Sequence, residues 1–299
     1  MGKVMNNGKT EIYLRTTWIE KFRLLLPRLI VYVFLVLTAL PLVVAYAWLL
    51  LSSFSAEQAF GLIPKNFTLE NWRFLWSQVQ IGTKVFQSIW PITLNTILLA
   101  GSITVLELII SLLAGFALSR INFAGKDLIM KMTILLHAFP GVALLIALYY
   151  VLNAVGLLDR LIGVVLVKVA LELPMATWMI KGFFDEIPWD VEWAAYVDGC
   201  TRLQAWYKVI LPQLKPGIAA VAIFAFLSGW SEFIYAYTFL FSAENYTLSV
   251  YLKNLIGDFK YLDYGLLTAS ALFYMLPTIV FFLLSQKSLM KVSFGGVKG

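Results

Sequence analysis

Four ionisable side chains, Glu107, Lys168, Glu172 and Glu232, fall inside stretches that are otherwise almost wholly apolar. A charge in such a setting costs about 2.5–3.5 kcal/mol on insertion scales, so it marks either a solute path or an internal ion pair. Lys168 and Glu172 are four residues apart, which puts them on one helical face where each can neutralise the other. That spacing favours a structural intramembrane pair over a solute contact. Glu232 belongs to Gly229-Trp230-Ser231-Glu232-Phe233, inside an aromatic-rich stretch. Aromatic faces with a few polar groups suit sugar rings, which are apolar on one face and hydroxylated at the rim. Trp230, Ser231, Glu232 and Phe233 are therefore candidates for a substrate path, and an ordinary interhelical hydrogen bond is the competing role for Glu232. Glu107 has no evident partner.

Other chemistries lack their residues. The single histidine, His137, precedes Pro140 and is expected to be buried and hydrogen-bonded. One histidine cannot furnish a His-Glu-x-x-His zinc site, and a serine nucleophile in a Gly-rich turn with a histidine on a later span is not found. Gly8-Lys9-Thr10 imitates the end of a phosphate-binding loop, but the required earlier glycine is Lys3. The one cysteine, Cys200, excludes an internal disulfide. Asp185, Glu186, Asp190, Glu192 and Asp198 cluster at a spacing that suits a solvated, partner-facing surface better than a metal site.

The elements that must position these groups follow from composition. In 299 residues, 61% are apolar and 13% charged, and mean hydropathy is +0.82. Soluble chains carry about 25% charged residues. An ordinary cytosolic enzyme, a disordered tail and a nucleic-acid binder are excluded, and an all-α integral membrane protein remains. Stretches of about 20 apolar residues are needed to span a bilayer, and six are present, at 29–52, 92–118, 132–152, 161–181, 216–241 and 266–286. A charged segment, 1–28, precedes the first stretch, whose apolar run is too long for a signal peptide, so it is expected to stay as an anchor.

With the N-terminus inside, sixteen Lys and Arg fall in inside segments and six outside (Lys65, Arg73, Lys84, Arg160, Lys253 and Lys260), with Lys168 within a span. Basic residues collect in cytoplasmic loops, so both termini are expected there. The domain plan is a cytoplasmic segment 1–28, a membrane domain 29–290 and a tail 291–299. The outer loop, 53–91, is polar enough to fold a small cap. The cytoplasmic loop, 182–215, should hold two short helices, the second capped by Thr201 and carrying Leu203, Trp206, Tyr207 and Ile210 as one apolar stripe.

That loop reads Glu192-Trp193-Ala194-Ala195-Tyr196-Val197-Asp198-Gly199, then nine residues, then Val209-Ile210-Leu211-Pro212. It resembles the EAA motif of the membrane subunits of ATP-binding-cassette (ABC) importers: Glu-Ala-Ala, three residues, Gly, nine residues, Ile-x-Leu-Pro. Trp193 stands at the motif's glutamate position, with Glu192 one residue early. Leu62-Ile63-Pro64-Lys65-Asn66-Phe67-Thr68-Leu69-Glu70-Asn71, Gly115-Phe116-Ala117-Leu118-Ser119-Arg120, Lys181-Gly182-Phe183-Phe184 and Trp230-Ser231-Glu232-Phe233 look like further signatures of carbohydrate-importer permeases of the maltose type, as does the tail Gly295-Gly296-Val297-Lys298-Gly299.

The resemblance implies a type I importer fold of six transmembrane helices with a cytoplasmic coupling helix. It also implies a non-catalytic subunit of a prokaryotic inner membrane that translocates a sugar by alternating access. The implied partners are a second homologous permease, two cytoplasmic ATPase subunits that bind the ATP and Mg, and an extracytoplasmic solute-binding protein. Glu192, Trp193, Ala194, Ala195, Asp198, Gly199, Leu211 and Pro212 would form the ATPase-coupling loop. There, either Glu192 substitutes for the motif glutamate after a small rotation or Trp193 fills the ATPase cleft. An acidic oligosaccharide or a glycerol-phosphate-type solute remains an alternative cargo, and a stand-alone secondary transporter an alternative of another class.

Overall fold

The computed structural model describes residues 18–59, 63–81, 84–257 and 263–295. Met1–Leu51 and Ser52–Gly299 form separate compact units. The described residues of the first belong to helix α1 (Trp18–Ser53), which begins ahead of the expected span and carries Pro27 and Pro41 internally.

The second unit opens with two antiparallel hairpins. Strand β1 (Ser55–Ala59) pairs with β2 (Ile63–Phe67), Ser55 opposite Phe67, and β3 (Val79–Ile81) pairs with β4 (Lys84–Phe86). A 3-10 turn, Glu70–Leu75, lies between them. Asn71 Nδ2 donates to the carbonyls of Ser53 (3.1 Å) and Ser55 (2.9 Å), while Phe54 stacks on Phe67 and Trp72. The expected cap over 53–91 is thus a pair of β-ribbons stapled by one amide and an aromatic stack.

Helix α2 (Ile89–Arg120), started by the Ser88 side chain accepting from Trp90 N, is the central rod of the unit. At about 1.5 Å per residue its 32 residues extend about 48 Å. It packs against α5 (Leu161–Asp185) and α9 (Lys215–Trp230). Close packing with α9 requires glycine: a Cβ at Gly229 would stand 2.8 Å from Ala100 Cα, a backbone atom that cannot swing aside. The core between these helices is made of side chains such as Leu99, Ile103, Val164, Val165 and Phe239.

Two expected spans are broken. The stretch 132–152 divides into α3 (Lys126–His137) and, after the turn Gly141–Leu144, α4 (Leu145–Ala154), with a bend of 87°. Pro140 lacks the N–H that would continue the helix and restricts Phe139 before it. The stretch 216–241 ends as α9 at Trp230, passes through Ser231, Glu232 and Phe233, and resumes as the short α10 (Ile234–Phe239).

Between α5 and α9 lie α6 (Trp189–Val197), α7 (Arg202–Ala205), a π turn (Trp206–Ile210) and α8 (Leu211–Gln213). The chain closes with α11 (Leu248–Ile256) and α12 (Tyr264–Gly295). Among the described residues, four helices are long and apolar enough to cross a membrane, and six spans result if each of two bent pairs, α3 with α4 and Arg202–Gln213 with α9, counts as one.

Candidate functional site

The break after α9 is where the buried charges meet. Lys168 Nζ on α5 lies 2.9 Å from Glu172 Oε1, one turn along, and 2.8 Å from Glu232 Oε2 in the break. The other oxygen of Glu232, Oε1, accepts from Tyr235 N at 2.8 Å and so closes the open N-terminus of α10. Its backbone carbonyl accepts from Ser249 Oγ on α11 (2.6 Å), and Ser228 on α9 donates to Glu172. Interrupting a helix leaves backbone groups unpaired, and unpaired groups cannot persist in an apolar setting. Glu232 and Ser249 supply those partners, and Lys168 supplies the counter-charge. The intrahelical pair expected from spacing is therefore a three-membered cluster reaching from α5 into the break. Glu107 on α2 is buried and lies close enough to Glu172 and Lys168 to feel both charges.

Trp230 is locked in the core. Its Nε1 donates to Tyr274 O (3.1 Å), the Tyr274 hydroxyl donates back to Trp230 O (2.9 Å), and the two rings stack. Of the four residues expected along a substrate path, Trp230 and Glu232 thus face inward. Ser231 is exposed, and the half-buried Phe233 stacks on exposed Tyr237 at 5.3 Å. His137, expected to be buried, is instead exposed and lines a 260 Å³ cavity with Pro174 and Trp178; it shares that exposure with the rest of α3, which has no buried residue.

The second constellation is at the far end of α2. Glu192 on α6 is 1% exposed. Its Oε2 lies 3.1 Å from Arg120 Nε, an ionic contact whose N–H is not aimed along the line of a hydrogen bond, and its Oε1 accepts from the Tyr196 hydroxyl at 2.6 Å. Burial, and then this bond, raises Tyr196 above the usual phenol range. Arg120 Nη2 also donates to Ile187 O (2.7 Å), and its guanidinium lies 4.6 Å from the Trp189 ring centre. Glu192 is therefore withdrawn from the acidic surface expected of its loop, and the rotation that would bring it to a partner would break a buried ion pair.

Trp193 and Val197 point the opposite way, 59% and 87% exposed. Ala194 and Asp198 are exposed, and Ala195 is packed inside. Gly199 leaves α6 with φ +85°, and a Cβ added there would meet nothing within 4 Å, so the left-handed turn, not crowding, requires glycine there. Thr201 and Gln204 form the expected cap, as a reciprocal capping box. The stripe predicted on the following helix is divided. Leu203 and Tyr207, four apart on one face, are exposed, while Trp206 is half-buried and Ile210, four further on, is buried. Leu211 is half-buried and Pro212 exposed.

Arg120 and Tyr196 were missed as partners of Glu192. The available signal was a glutamate on the inward phase of a helix, which requires a cation from another element.

These features define a multi-pass membrane protein with an interrupted, charge-stapled span and a helical hairpin presenting an apolar face at one end. The family model described as "Binding-protein-dependent transport system inner membrane component" matches residues 107–291, and the chain belongs to this family of ABC importer permeases. It is 30% identical over 272 residues to the inner membrane ABC transporter permease protein YcjP of Escherichia coli, covering 89% of this chain and 93% of that one. It is 32% identical over 240 residues to the trehalose transport system permease protein SugB of Mycobacterium tuberculosis, covering 80% and 85%. Among solved structures, a subunit of a bacterial ABC transporter involved in import of the acidic polysaccharide alginate superposes with TM-score 0.72 over 91% of this chain and 98% of that one, at 20% identity, and so shares the fold.

Proposed function

We propose that this chain is one of two permease subunits through which a sugar, delivered by an extracytoplasmic binding protein, crosses the inner membrane by alternating access. Two cytoplasmic ATPase subunits bind ATP and Mg and drive the cycle, and this chain itself performs no catalysis. The observation that carries the reading is the α6–α7 hairpin. It turns Trp193, Val197 and Leu203 outward, with Tyr207 exposed in the π turn that follows, and an exposed apolar face of that kind fits a partner's groove. Similarity to permeases named for trehalose and maltodextrin transport supports a sugar as cargo. We place α6 in the ATPase cleft with Trp193 as the filling side chain, Ala194 allowing close approach, and Gly199, Asp198, Leu211 and Pro212 shaping the hairpin. Both termini are then cytoplasmic. On the solute side, Ser231 and the Phe233–Tyr237 stack are the groups offered to a sugar ring, and Trp230 and Glu232 hold the break behind them.

The test is Gly199→Val in the reconstituted transporter. A β-branched residue at φ +85° costs of order 1–3 kcal/mol and misdirects α7. The expected result is a complex that still assembles but whose ATP hydrolysis no longer responds to sugar-loaded binding protein. Undiminished stimulation would remove the hairpin from the coupling path.

A further inference from the structure

We propose that Arg120 is the pin that makes α2 a push rod between the α6 hairpin and segment 241–248 at the other end of that helix. It acts as a positioning residue for coupling. The proposal rests on the reading of the hairpin as the ATPase-facing element.

The chain itself joins α6 to α5 through Glu186, Ile187 and Pro188, and through α7 and α8 to α9. Helix α2 is connected to neither end of the hairpin by sequence. It reaches α6 through Arg120 in its last turn, where one guanidinium meets Glu192, the Ile187 carbonyl and the Trp189 ring. Both side chains of the ion pair are only 2% exposed, so water neither screens nor replaces it. A planar fork with several donors satisfies these partners together, and a lysine ammonium on a flexible stem cannot reproduce that geometry. Ser119, the preceding residue, donates to Asp185 at the end of α5, and Lys181 closes on the same carboxylate, so α5 and α2 are also tied there.

The far end of α2 is fastened equally firmly. Asn95 Nδ2 donates to the carbonyls of Glu244 (2.6 Å) and Tyr246 (3.1 Å), and Thr96 Oγ1 accepts from Leu248 N (2.9 Å). Asp159 accepts from the Ser242 hydroxyl, from Ser242 N (3.0 Å) and from Phe241 N (2.8 Å), and these bonds outweigh its burial and hold its carboxyl below the ordinary range. Segment 241–248 is therefore a rigid arch fixed to α2, and it leads directly into α11, whose Ser249 holds the Glu232 carbonyl in the break. A stroke at α6 is passed by Arg120 into one stiff helix and delivered to the arch and to the interrupted span. Movement at the arch returns by the same route.

The experiment uses the full transporter in proteoliposomes with its ATPase and binding protein. It compares Arg120→Lys and the milder Glu192→Gln with wild type, and with Gly199→Val as the uncoupled control. Co-purification of the ATPase is measured first, and hydrolysis is expressed per assembled complex. Both variants should assemble and keep basal hydrolysis. Their maximal stimulation by loaded binding protein should fall by about fivefold or more, the scale of an ordinary coupling energy, while the half-saturating concentration of binding protein stays unchanged. Such a split is not expected of a residue that merely stabilises the fold. Wild-type stimulation in Arg120→Lys or in Glu192→Gln, with Gly199→Val uncoupled, would overturn the pin and leave the function standing. Loss of assembly in both variants would also overturn it, by making the pair a fold staple. Stimulation that survives Gly199→Val as well would remove the function on which the pin depends.

Discussion

Lys168 neutralises two carboxylates that come from different elements, and the two are not equivalent. Glu172 shares its helix and is also satisfied by Ser228, whereas Glu232 caps α10 and has little access to water. Removing one partner of a buried ion pair strands the remaining charge at about 3–5 kcal/mol. Lys168→Met strands both carboxylates and should lower the melting temperature of the purified complex sharply. Glu232→Gln should cost less, because the amide can still accept from Tyr235 N and Lys168 keeps Glu172. Its expected signature is reduced sugar uptake at unchanged basal ATP hydrolysis. Equal melting temperatures for the two variants would show that the cluster does not act as a shared-cation unit. The spacing of Lys168 and Glu172 made half of this cluster legible in advance. Glu232 was singled out for its setting, but nothing in its neighbourhood along the chain pointed to Lys168, since that contact exists only once α5 and the break are folded together.

Helices α2 and α9 approach so closely that Gly229 touches the Ala100 backbone. Gly229→Val must push the two axes apart, and overpacking of this kind costs about 1–3 kcal/mol. A drop in thermal stability is expected, together with faster hydrogen exchange in α9, and a variant as stable as wild type would show that the helices can slide to make room. The existence and approximate ends of the long elements were readable from apolar length alone, as with Ile89–Arg120 against the expected 92–118. The interruption at Pro140 had a local cause in the sequence. The interruption at Trp230 has no proline: Ser231 and Glu232 follow it, apolar residues resume at Phe233, and the chain stops being helical where Glu232 turns to find Lys168 and Tyr235 N. The apolar stripe before Pro212 is likewise divided by tertiary packing, which draws Trp206 and Ile210 into the cluster with Phe184 and Ile180.

At the scale of the whole molecule, orientation can be tested with a side chain the protein already has. Cys200 is the sole cysteine and lies half-exposed just after the Gly199 turn. With the hairpin on the cytoplasmic side, a membrane-impermeant maleimide should label inside-out vesicles stripped of ATPase and leave right-side-out vesicles unlabelled. The reverse pattern would invert the topology inferred from sixteen basic residues inside against six outside.

Composition, hydropathy and the spacing of Gly199 and Pro212 sufficed to establish a helical membrane protein, its main spans, the uneven sharing of Lys and Arg between alternate connecting segments, and the EAA-like hairpin. These are properties of runs and local periods, which a linear chain displays directly. Only the tertiary structure decided which way the residues of those runs face. It turned Glu192 inward to Arg120 and left Trp193 outside, drew Trp230 and Glu232 into the core, and opened His137 to a cavity. The reason is physical: a buried charge is stable only beside an opposite charge or donor, and in this chain those partners lie on other helices.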